Sequence, residues 1–177
     1  MRVLVTGASG FVGSALVTGL KQQGHDVVAT TRSAVSVPVE GVDYQVIGDL
    51  DGELDWQSAL QDINVVVHTA ARVHVMDDSC DDPLQAFRQV NVVATLGLAR
   101  QAAEAGVRRF VVISSIKVSG EQTCPGTPFR ADDVPRPIDP YGISKLEAEV
   151  GLLALAARTG MEVVIVRPPL VYGPGVK

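Results

Sequence analysis

The chain has few cysteines, few aromatic residues and no excess of positive charge, and each shortage excludes a class of protein. Its two cysteines, Cys80 and Cys124, belong to no cluster with metal-ligand spacing, and such low usage is typical of a reducing compartment. The net charge is −5, and no basic cluster is interleaved with aromatic residues. We therefore expect no metal site and no nucleic-acid partner.

Long apolar runs are missing as well. No uncharged apolar stretch is long enough to cross a bilayer, and the first residues lead directly into a strand without the apolar region of a signal peptide. These absences predict a cytoplasmic protein with no membrane partner. Hydrophobic residues make up 46% of the chain, and the mean hydropathy is +0.23, which is ordinary for a sheet buried on both faces.

Short apolar strands alternate with helical segments along the chain. The strands are rich in β-branched residues, as parallel strands covered on both faces are. The predicted strands are Val3–Thr6, Val27–Thr31, Tyr44–Ile47, Val65–His68, Phe110–Ser114 and Val163–Arg167. The predicted helices are Gly10–Gln23, Trp56–Gln61, Pro83–Ala105 and Tyr141–Arg158, and Gly24, Gly106 and Gly160 follow three of them as expected left-handed caps. This alternation predicts an α/β fold with a doubly wound parallel sheet.

A glycine-rich turn follows the first predicted strand. Gly7, Gly10 and Gly13 have the spacing GxxGxxG and lead into a helix. Exposed N–H groups and the positive end of the helix dipole favour an anion there, and glycine lets the backbone approach phosphates closely. Any strand–turn–helix junction can use glycine, but this position in the first βα unit favours a dinucleotide site. The residues expected to hold the diphosphate are Gly7, Ser9, Gly10, Phe11, Val12 and Gly13.

A tyrosine and a lysine lie four residues apart on the last predicted helix. Tyr141 and Lys145 therefore share one helix face. A nearby lysine cation would lower the tyrosine pKa from about 10, and Ser115, just past the fifth strand, could hold the reacting oxygen. This set predicts proton transfer and oxyanion stabilisation beside a nicotinamide. An exposed pair on a helix surface would have the same spacing, but the glycine turn upstream favours the functional interpretation.

With these motifs the chain resembles the extended short-chain dehydrogenases/reductases, in their branch of nucleotide-sugar epimerases and reductases. The resemblance covers the whole chain and rests on several motifs in the right order. They are TGxxGxxG at Thr6–Gly13, the acidic-apolar pair Asp49-Leu50, HxAA at His68–Ala71, a variant of NxxGT at Asn91–Thr95, Ser114-Ser115, YxxxK at Tyr141–Lys145, and a variant of RxxNVYGP at Arg167–Pro174.

The resemblance implies a Rossmann fold and a role for individual residues. The catalytic residues would be Ser115, Tyr141 and Lys145. Further cofactor-binding residues would be Asp49, Leu50, Thr69, Ala70, Ala71, Asn91, Ser114, Tyr141, Lys145 and Pro168. Substrate would be contacted by His74, Ser115, Tyr141 and Tyr172. Some of these have simpler interpretations: Asp49 as a turn cap, Asn91 as a local hydrogen-bonding residue, His74 as an exposed loop residue.

Departures from the family pattern narrow the chemistry. Ile116 and Lys117 follow the catalytic serine, where the 4,6-dehydratase branch has an acidic pair. Since water elimination needs an acid and a base at the sugar, a dehydratase is disfavoured. Ser119 stands where tyrosine is common, and Leu170 where an asparagine commonly contacts substrate.

The end of the second strand bears on cofactor choice. NAD sites usually carry an acid there to bind the ribose 2′-hydroxyl, but this chain offers Thr31 and then Arg32. A guanidinium can pair with a 2′-phosphate, so NADP is favoured over NAD. Arg32 could instead stack on the adenine of either cofactor.

The leading functional hypothesis is hydride transfer at the sugar C4 carbon of a nucleotide sugar, as a 4-ketoreductase or a 4-epimerase. Alternatives are an NADPH-dependent reductase of a non-nucleotide ketone and a non-catalytic dinucleotide sensor, although the intact tyrosine and lysine argue against the sensor. The resemblance implies a C-terminal substrate domain beyond this chain, so residues 1–177 are predicted to be the truncated NAD(P)-binding domain. A homodimer is possible.

Overall fold

The computed structural model describes residues 1–73 and 82–176. Its sheet consists of six parallel strands in the order β3-β2-β1-β4-β5-β6, so the predicted doubly wound α/β fold is confirmed. The strands are β1 (Arg2–Thr6), β2 (Asp26–Thr31), β3 (Asp43–Val46), β4 (Val65–His68), β5 (Arg109–Ile113) and β6 (Glu162–Val166). Each overlaps a strand predicted from the apolar, β-branched runs.

Helices connect the strands on both faces of the sheet. They are α1 (Phe11–Gln22), α2 (Pro83–Arg88), α3 (Thr95–Glu104) and α4 (Pro140–Thr159), with a 3₁₀ turn at Ile116–Val118. The predicted helix Pro83–Ala105 is present but is not uniform, because a π-helical stretch at Gln89–Ala94 separates α2 from α3. Glycines 24, 106 and 160 have φ of +78°, +79° and +76°, the left-handed conformation expected of helix caps.

The predicted helix Trp56–Gln61 is wrong, because this segment forms consecutive turns. Its Trp56 N–H bonds to the side chain of Gln101 on α3 at 2.8 Å, and the left-handed Asp62 ends the segment. The buried side chains of Trp56 and Leu60 pack into the core. Tertiary contacts therefore override the helical pattern of this segment.

The core lies on both sides of the sheet. On one face, Leu4 and Phe110 pack with Leu98 of α3 and Leu152 of α4. On the other face, neighbouring strand positions pack with Val17 of α1 in a second cluster. Adjacent strand residues point to opposite faces, so the four inner strands β1, β2, β4 and β5 contribute to both clusters. Among the described residues, no helix is long and apolar enough to span a membrane.

The chain reverses direction across the sheet between β1 and β4. The two strands are adjacent, with Thr6 paired to His68 at their carboxyl ends. The crossovers that follow β1 and β4 leave in opposite directions, so a crevice opens between their ends. The glycine turn and residues 69–71 lie at this crevice, and the segments after β5 and β6 lie at the same edge.

Candidate active site

Two of the three glycines of the turn are required by close backbone approach. Gly7 has a left-handed φ of +66°, and a Cβ there would lie 2.7 Å from the Ala70 backbone nitrogen. A Cβ on Gly13 would lie 2.2 Å from the Gly7 carbonyl oxygen. These contacts draw the turn, α1 and the end of β4 together, so larger side chains would force the three apart.

The third glycine faces a more open space. Gly10 is the N-cap of α1, and no side chain caps this helix end. A Cβ on Gly10 would meet a single heavy atom within 4 Å, the Gly7 carbonyl oxygen at 3.2 Å. Ser9 and Gly10 are exposed, and Phe11 and Val12 are half-buried. This uncapped helix start fits the diphosphate of a dinucleotide, since its N–H groups and dipole favour an anion.

Small residues after β4 pack against the glycine turn. The Thr69 hydroxyl donates to the Thr6 carbonyl oxygen at 2.6 Å, and the Ala70 N–H donates to the Thr6 hydroxyl at 3.4 Å. The predicted cofactor residues Thr69, Ala70 and Ala71 are half-buried and line the crevice beside the turn. His68, which precedes them, is bonded through both ring nitrogens to the hydroxyls of Thr6 and Thr95.

Burial lowers the pKa of His68 to about 3, so the ring is neutral at physiological pH. A neutral ring that is fully hydrogen-bonded is a packing element. We accordingly give His68 no chemical role.

Lys145 is a buried cation one helical turn beyond Tyr141. Its Nζ donates to the Ile113 carbonyl oxygen at 2.7 Å, at the end of β5. Burial lowers the pKa of Lys145 to about 8, and the charge of Glu149 opposes this change. The lysine therefore remains mostly protonated at neutral pH. Because an ammonium group has three donors, two remain for a ligand beside the one given to Ile113.

Tyr141 does not have the lowered pKa that its spacing from Lys145 predicts. Burial raises the pKa of Tyr141, hydrogen bonding from Ser115 opposes the rise, and the charge of Asp139 adds to it. The Phe87 ring, 5.9 Å from the Tyr141 ring in an edge-on arrangement, contributes to this apolar environment. In this structure Tyr141 is thus protonated at neutral pH and faces the Ser115 hydroxyl as a potential proton donor.

Asn91, in the π-helical stretch, joins the crevice to α4. Its amide oxygen accepts from the Arg72 N–H at 2.9 Å, and its Nδ2 donates to the Arg72 carbonyl oxygen and the Ser144 hydroxyl, both at 3.0 Å. Ser144 in turn donates to the Tyr141 carbonyl oxygen at 2.7 Å. The Asn91 side chain therefore supports the backbone beside Lys145, and its polar groups are used within the protein.

A buried ion pair behind the serines is the feature that the sequence analysis missed. The Glu149 carboxylate accepts from Nε and Nη2 of Arg167, the latter at 2.5 Å, and also from the Ser114 hydroxyl. It thereby ties α4 to the ends of β5 and β6. The Ser114 side chain, predicted to bind cofactor, is committed to this contact. No local spacing marks this ion pair, because Ser114, Glu149 and Arg167 come from three separate segments of the chain.

Arg32 and Asp49 lie together at the far side of the crevice. Their side chains are 80% and 91% exposed, and Arg32 Nη1 is 3.8 Å from Asp49 Oδ1. The pair is therefore solvent-exposed just beyond the carboxyl ends of β2 and β3. Leu50, next to Asp49, is half-buried and packs against the main core cluster.

The remaining predicted residues differ in their surroundings. The Pro168 carbonyl oxygen accepts from the Ile116 N–H at 3.0 Å, which joins the segments after β5 and β6. Tyr172 is 83% exposed, and Leu170 is 86% exposed. His74 lies outside the described residues. In the part of the chain that the structure describes, no group of three His, Cys, Asp or Glu residues could hold a metal ion.

Comparison with known proteins identifies the family. The profile of the NAD dependent epimerase/dehydratase family matches residues 3–177. The chain belongs to this family. Its members' dependence on NAD agrees with the uncapped helix start and the crevice described above.

Curated relatives of the family match nearly all of this chain. A UDP-glucose 4-epimerase of Vibrio cholerae is 49% identical over 176 residues, which are 99% of this chain and 53% of that protein. A 3-beta-hydroxysteroid dehydrogenase of Mycolicibacterium neoaurum is 34% identical over 184 residues, covering 98% of this chain and 48% of the relative. The chain thus spans about half the length of the curated relatives it matches.

Solved structures of the family have the same fold. MoeE5 in complex with UDP-glucose and NAD superposes with a TM-score of 0.84 at 38% identity, over 100% of this chain and 57% of that one. UDP-glucuronic acid 4-epimerase from Bacillus cereus, bound to UDP-glucuronic acid and NAD, gives a TM-score of 0.84 at 29% identity, over 98% of this chain and 58% of the other. The extended dehydrogenase/reductase resemblance seen in the sequence is confirmed.

Proposed function

We propose that this chain provides the cofactor-binding and catalytic half of an NAD(P)-dependent epimerase that inverts C4 of a UDP-sugar. The observation that carries the proposal is the grouping of Ser115, Tyr141 and Lys145 at the edge of the sheet where the glycine turn lies. The 49% identity to a UDP-glucose 4-epimerase supports the substrate class.

The residues present can hold the cofactor and handle the proton. The turn at Gly7–Gly13 would hold the diphosphate, and the free donors of Lys145 would reach a ribose hydroxyl. When bound, NAD(P) supplies a hydride acceptor and donor at the sugar carbon. Tyr141 would exchange a proton with the sugar oxygen, donating it as the phenol and accepting it as the phenolate, which the Lys145 cation would stabilise, while Ser115 holds that oxygen by a hydrogen bond.

Epimerase and ketoreductase chemistry differ in the fate of the hydride. An epimerase removes the C4 hydrogen and returns it to the same carbon with no net use of cofactor. A 4-ketoreductase consumes one reduced cofactor for each turnover. The steroid dehydrogenase relative supports a third possibility, reduction of a non-nucleotide ketone, at lower identity.

A labelling experiment on the full-length protein tests the proposal. UDP-glucose carrying deuterium at C4 is incubated without added reductant, and the products are followed by mass spectrometry and proton NMR. We expect UDP-galactose that retains the deuterium, because the hydride never leaves the site. Absence of interconversion, together with stoichiometric NADPH oxidation by a 4-keto sugar or a steroid ketone, would overturn it in favour of a reductase.

Gly10 provides a test of the diphosphate site. We expect Gly10→Val to weaken dinucleotide binding by at least ~tenfold, because its side chain would occupy the space beside the uncapped helix start. Folding should survive, since a Cβ there meets only the Gly7 carbonyl at 3.2 Å. Calorimetric titration of NAD and NADP measures the effect. Gly19→Val, which meets nothing within 4 Å on the same helix, is the matched control and should bind normally.

Arg32 provides a test of the predicted preference for NADP. If its guanidinium pairs with the 2′-phosphate, Arg32→Ala should weaken NADPH binding by about 1.5–3 kcal/mol and leave NADH binding nearly unchanged. Arg158→Ala is the matched control, because this exposed arginine lies in the last turn of α4, at the end opposite Tyr141, and should not affect binding of either cofactor. Equal losses for both cofactors would instead assign Arg32 to adenine stacking.

A further inference from the structure

Lys117 forms an ion-pair cluster beside the catalytic residues that the proposed chemistry does not use. It lies in the 3₁₀ turn that begins directly after Ser115. Its Nζ contacts the Glu121 carboxylate and lies 3.3 Å from Oδ2 of Asp139. Its backbone N–H donates to the Ser115 hydroxyl at 3.2 Å. One residue therefore touches both the serine and the start of α4.

Asp139 is the residue that starts α4. As the N-cap, its Oδ1 accepts from the Gly142 N–H at 2.6 Å, and Pro140 occupies the first helical position. Its other oxygen faces Lys117. Tyr141 lies between the cap and Gly142, so the direction of its side chain depends on how this first turn is held.

The 3₁₀ turn and α4 are also in close backbone contact. A Cβ on Gly142 would lie 3.0 Å from the Lys117 carbonyl oxygen and 3.2 Å from Asp139 Oδ1. Gly142 is buried at this contact. The turn carrying Ser115 and the turn carrying Tyr141 are thus packed face to face, with the Lys117–Asp139 pair closing the exposed side of the contact.

We propose that Lys117 is a positioning residue, which fixes the Ser115 turn against the first turn of α4 through Asp139 and screens the Asp139 carboxylate from the Tyr141 hydroxyl. The proposal rests on the proposed catalytic role of Tyr141. The 4,6-dehydratase branch has an acidic pair at the positions of Ile116 and Lys117. The proposal gives a function to the lysine that replaces the second of these acidic residues.

The charges around Tyr141 support the screening part. Asp139 raises the pKa of Tyr141, and a cation held on the same carboxylate opposes that effect. The Glu121 and Asp139 carboxylates raise the pKa of Lys117 itself, so its charge persists into the alkaline range in which Tyr141 titrates. Among the described residues, the other charged groups on elements around Tyr141 include Lys145, Glu147 and Glu149 on α4, Arg88 on α2, bound to Glu147, and Arg72 after β4, over the Phe87 ring.

The test is a titration of Tyr141 by NMR in the full-length protein, with tyrosine labelled with carbon-13 at Cζ and the signal assigned by its loss in Tyr141→Phe. We expect Lys117→Met to raise the Tyr141 pKa by about half a pH unit at low salt, because the Asp139 charge is no longer offset. Lys117→Arg should restore the original value. Asp139→Asn keeps the cap and should lower the Tyr141 pKa.

A double-mutant cycle that combines Lys117→Met with Asp139→Asn distinguishes this role from a general disruption of the structure. In the Asp139→Asn background, Lys117→Met should leave the Tyr141 pKa unchanged. If Lys117→Met raises it equally in both backgrounds, or leaves it unchanged in the wild-type background, the proposal is overturned. Since the titration needs no turnover, its outcome does not depend on whether the protein proves to be an epimerase.

Discussion

Tyr141→Phe should lower turnover about 10²–10⁴-fold, the usual contribution of a general acid or base, while cofactor binding is retained. The change removes only the hydroxyl group. The ring keeps its edge-on packing against Phe87, so the first turn of α4 should stay in place. Single-turnover hydride transfer in the full-length protein, beside calorimetric titration of NAD and NADP, measures the two effects separately.

The matched control is Tyr172→Phe, which removes the same group from a tyrosine whose side chain is 83% exposed. We expect Tyr172→Phe to have a small effect, at most an increase in KM. That result would assign the proton transfer to Tyr141. Lys145→Met should reduce both cofactor affinity and rate, because its cation lies beside Tyr141 and has donors to spare. Near-native hydride transfer in Tyr141→Phe would assign the proton transfer to another group.

The sheet could be predicted because its signal is local. β-branched runs such as Val65–His68 have few alternatives to a buried strand, and the left-handed glycines ended helices where expected. The segment at Trp56–Gln61 failed for the opposite reason. Its apolar residues are buried as a helix face would be, but a hydrogen bond to Gln101, 45 positions away, decides its conformation.

The placement of the tyrosine–lysine pair was predictable from its spacing, while its electrostatics were not. The distance of four residues between Tyr141 and Lys145 predicts a shared helix face, and both residues lie near the end of β5. It does not predict that Lys145 donates to the Ile113 carbonyl oxygen, or that burial raises the pKa of Tyr141. The hydrogen bond of Lys145 and the pKa of Tyr141 depend on which residues pack against α4. The spacing of residues within α4 does not predict those neighbours.

The burial and pairing of Glu149 are the features of the site that the sequence predicts least well. A glutamate on a helix usually belongs to a solvated face, yet Glu149 is only 2% exposed. Its partners, Ser114 and Arg167, come from two other elements. A buried carboxylate is stable only when it is paired and hydrogen-bonded. We therefore expect a large loss of stability when the pairing of Glu149 with Arg167 is broken.

We expect Glu149→Ala to lower the free energy of unfolding by about 3–5 kcal/mol, because it leaves Arg167 as a largely buried cation without its carboxylate. Nη1 of Arg167 is already buried without a partner, so the guanidinium depends on Glu149 for its pairing. The loss also frees the Ser114 hydroxyl, which lies next to Ser115 in the chain. Urea unfolding of the full-length protein, followed by the fluorescence of the buried Trp56, measures the change.

The Arg109–Glu162 pair is the matched control, since it joins the same two residue types across neighbouring strands at the sheet surface. Its side chains are 52% and 62% exposed, and Glu162→Ala should cost about 0–1 kcal/mol. Replacing both Glu149 and Arg167 by methionine should recover most of the loss, because no unpaired charge remains. If Glu149→Ala costs no more than Glu162→Ala, water reaches Arg167 and the pair does not hold β5, β6 and α4 together.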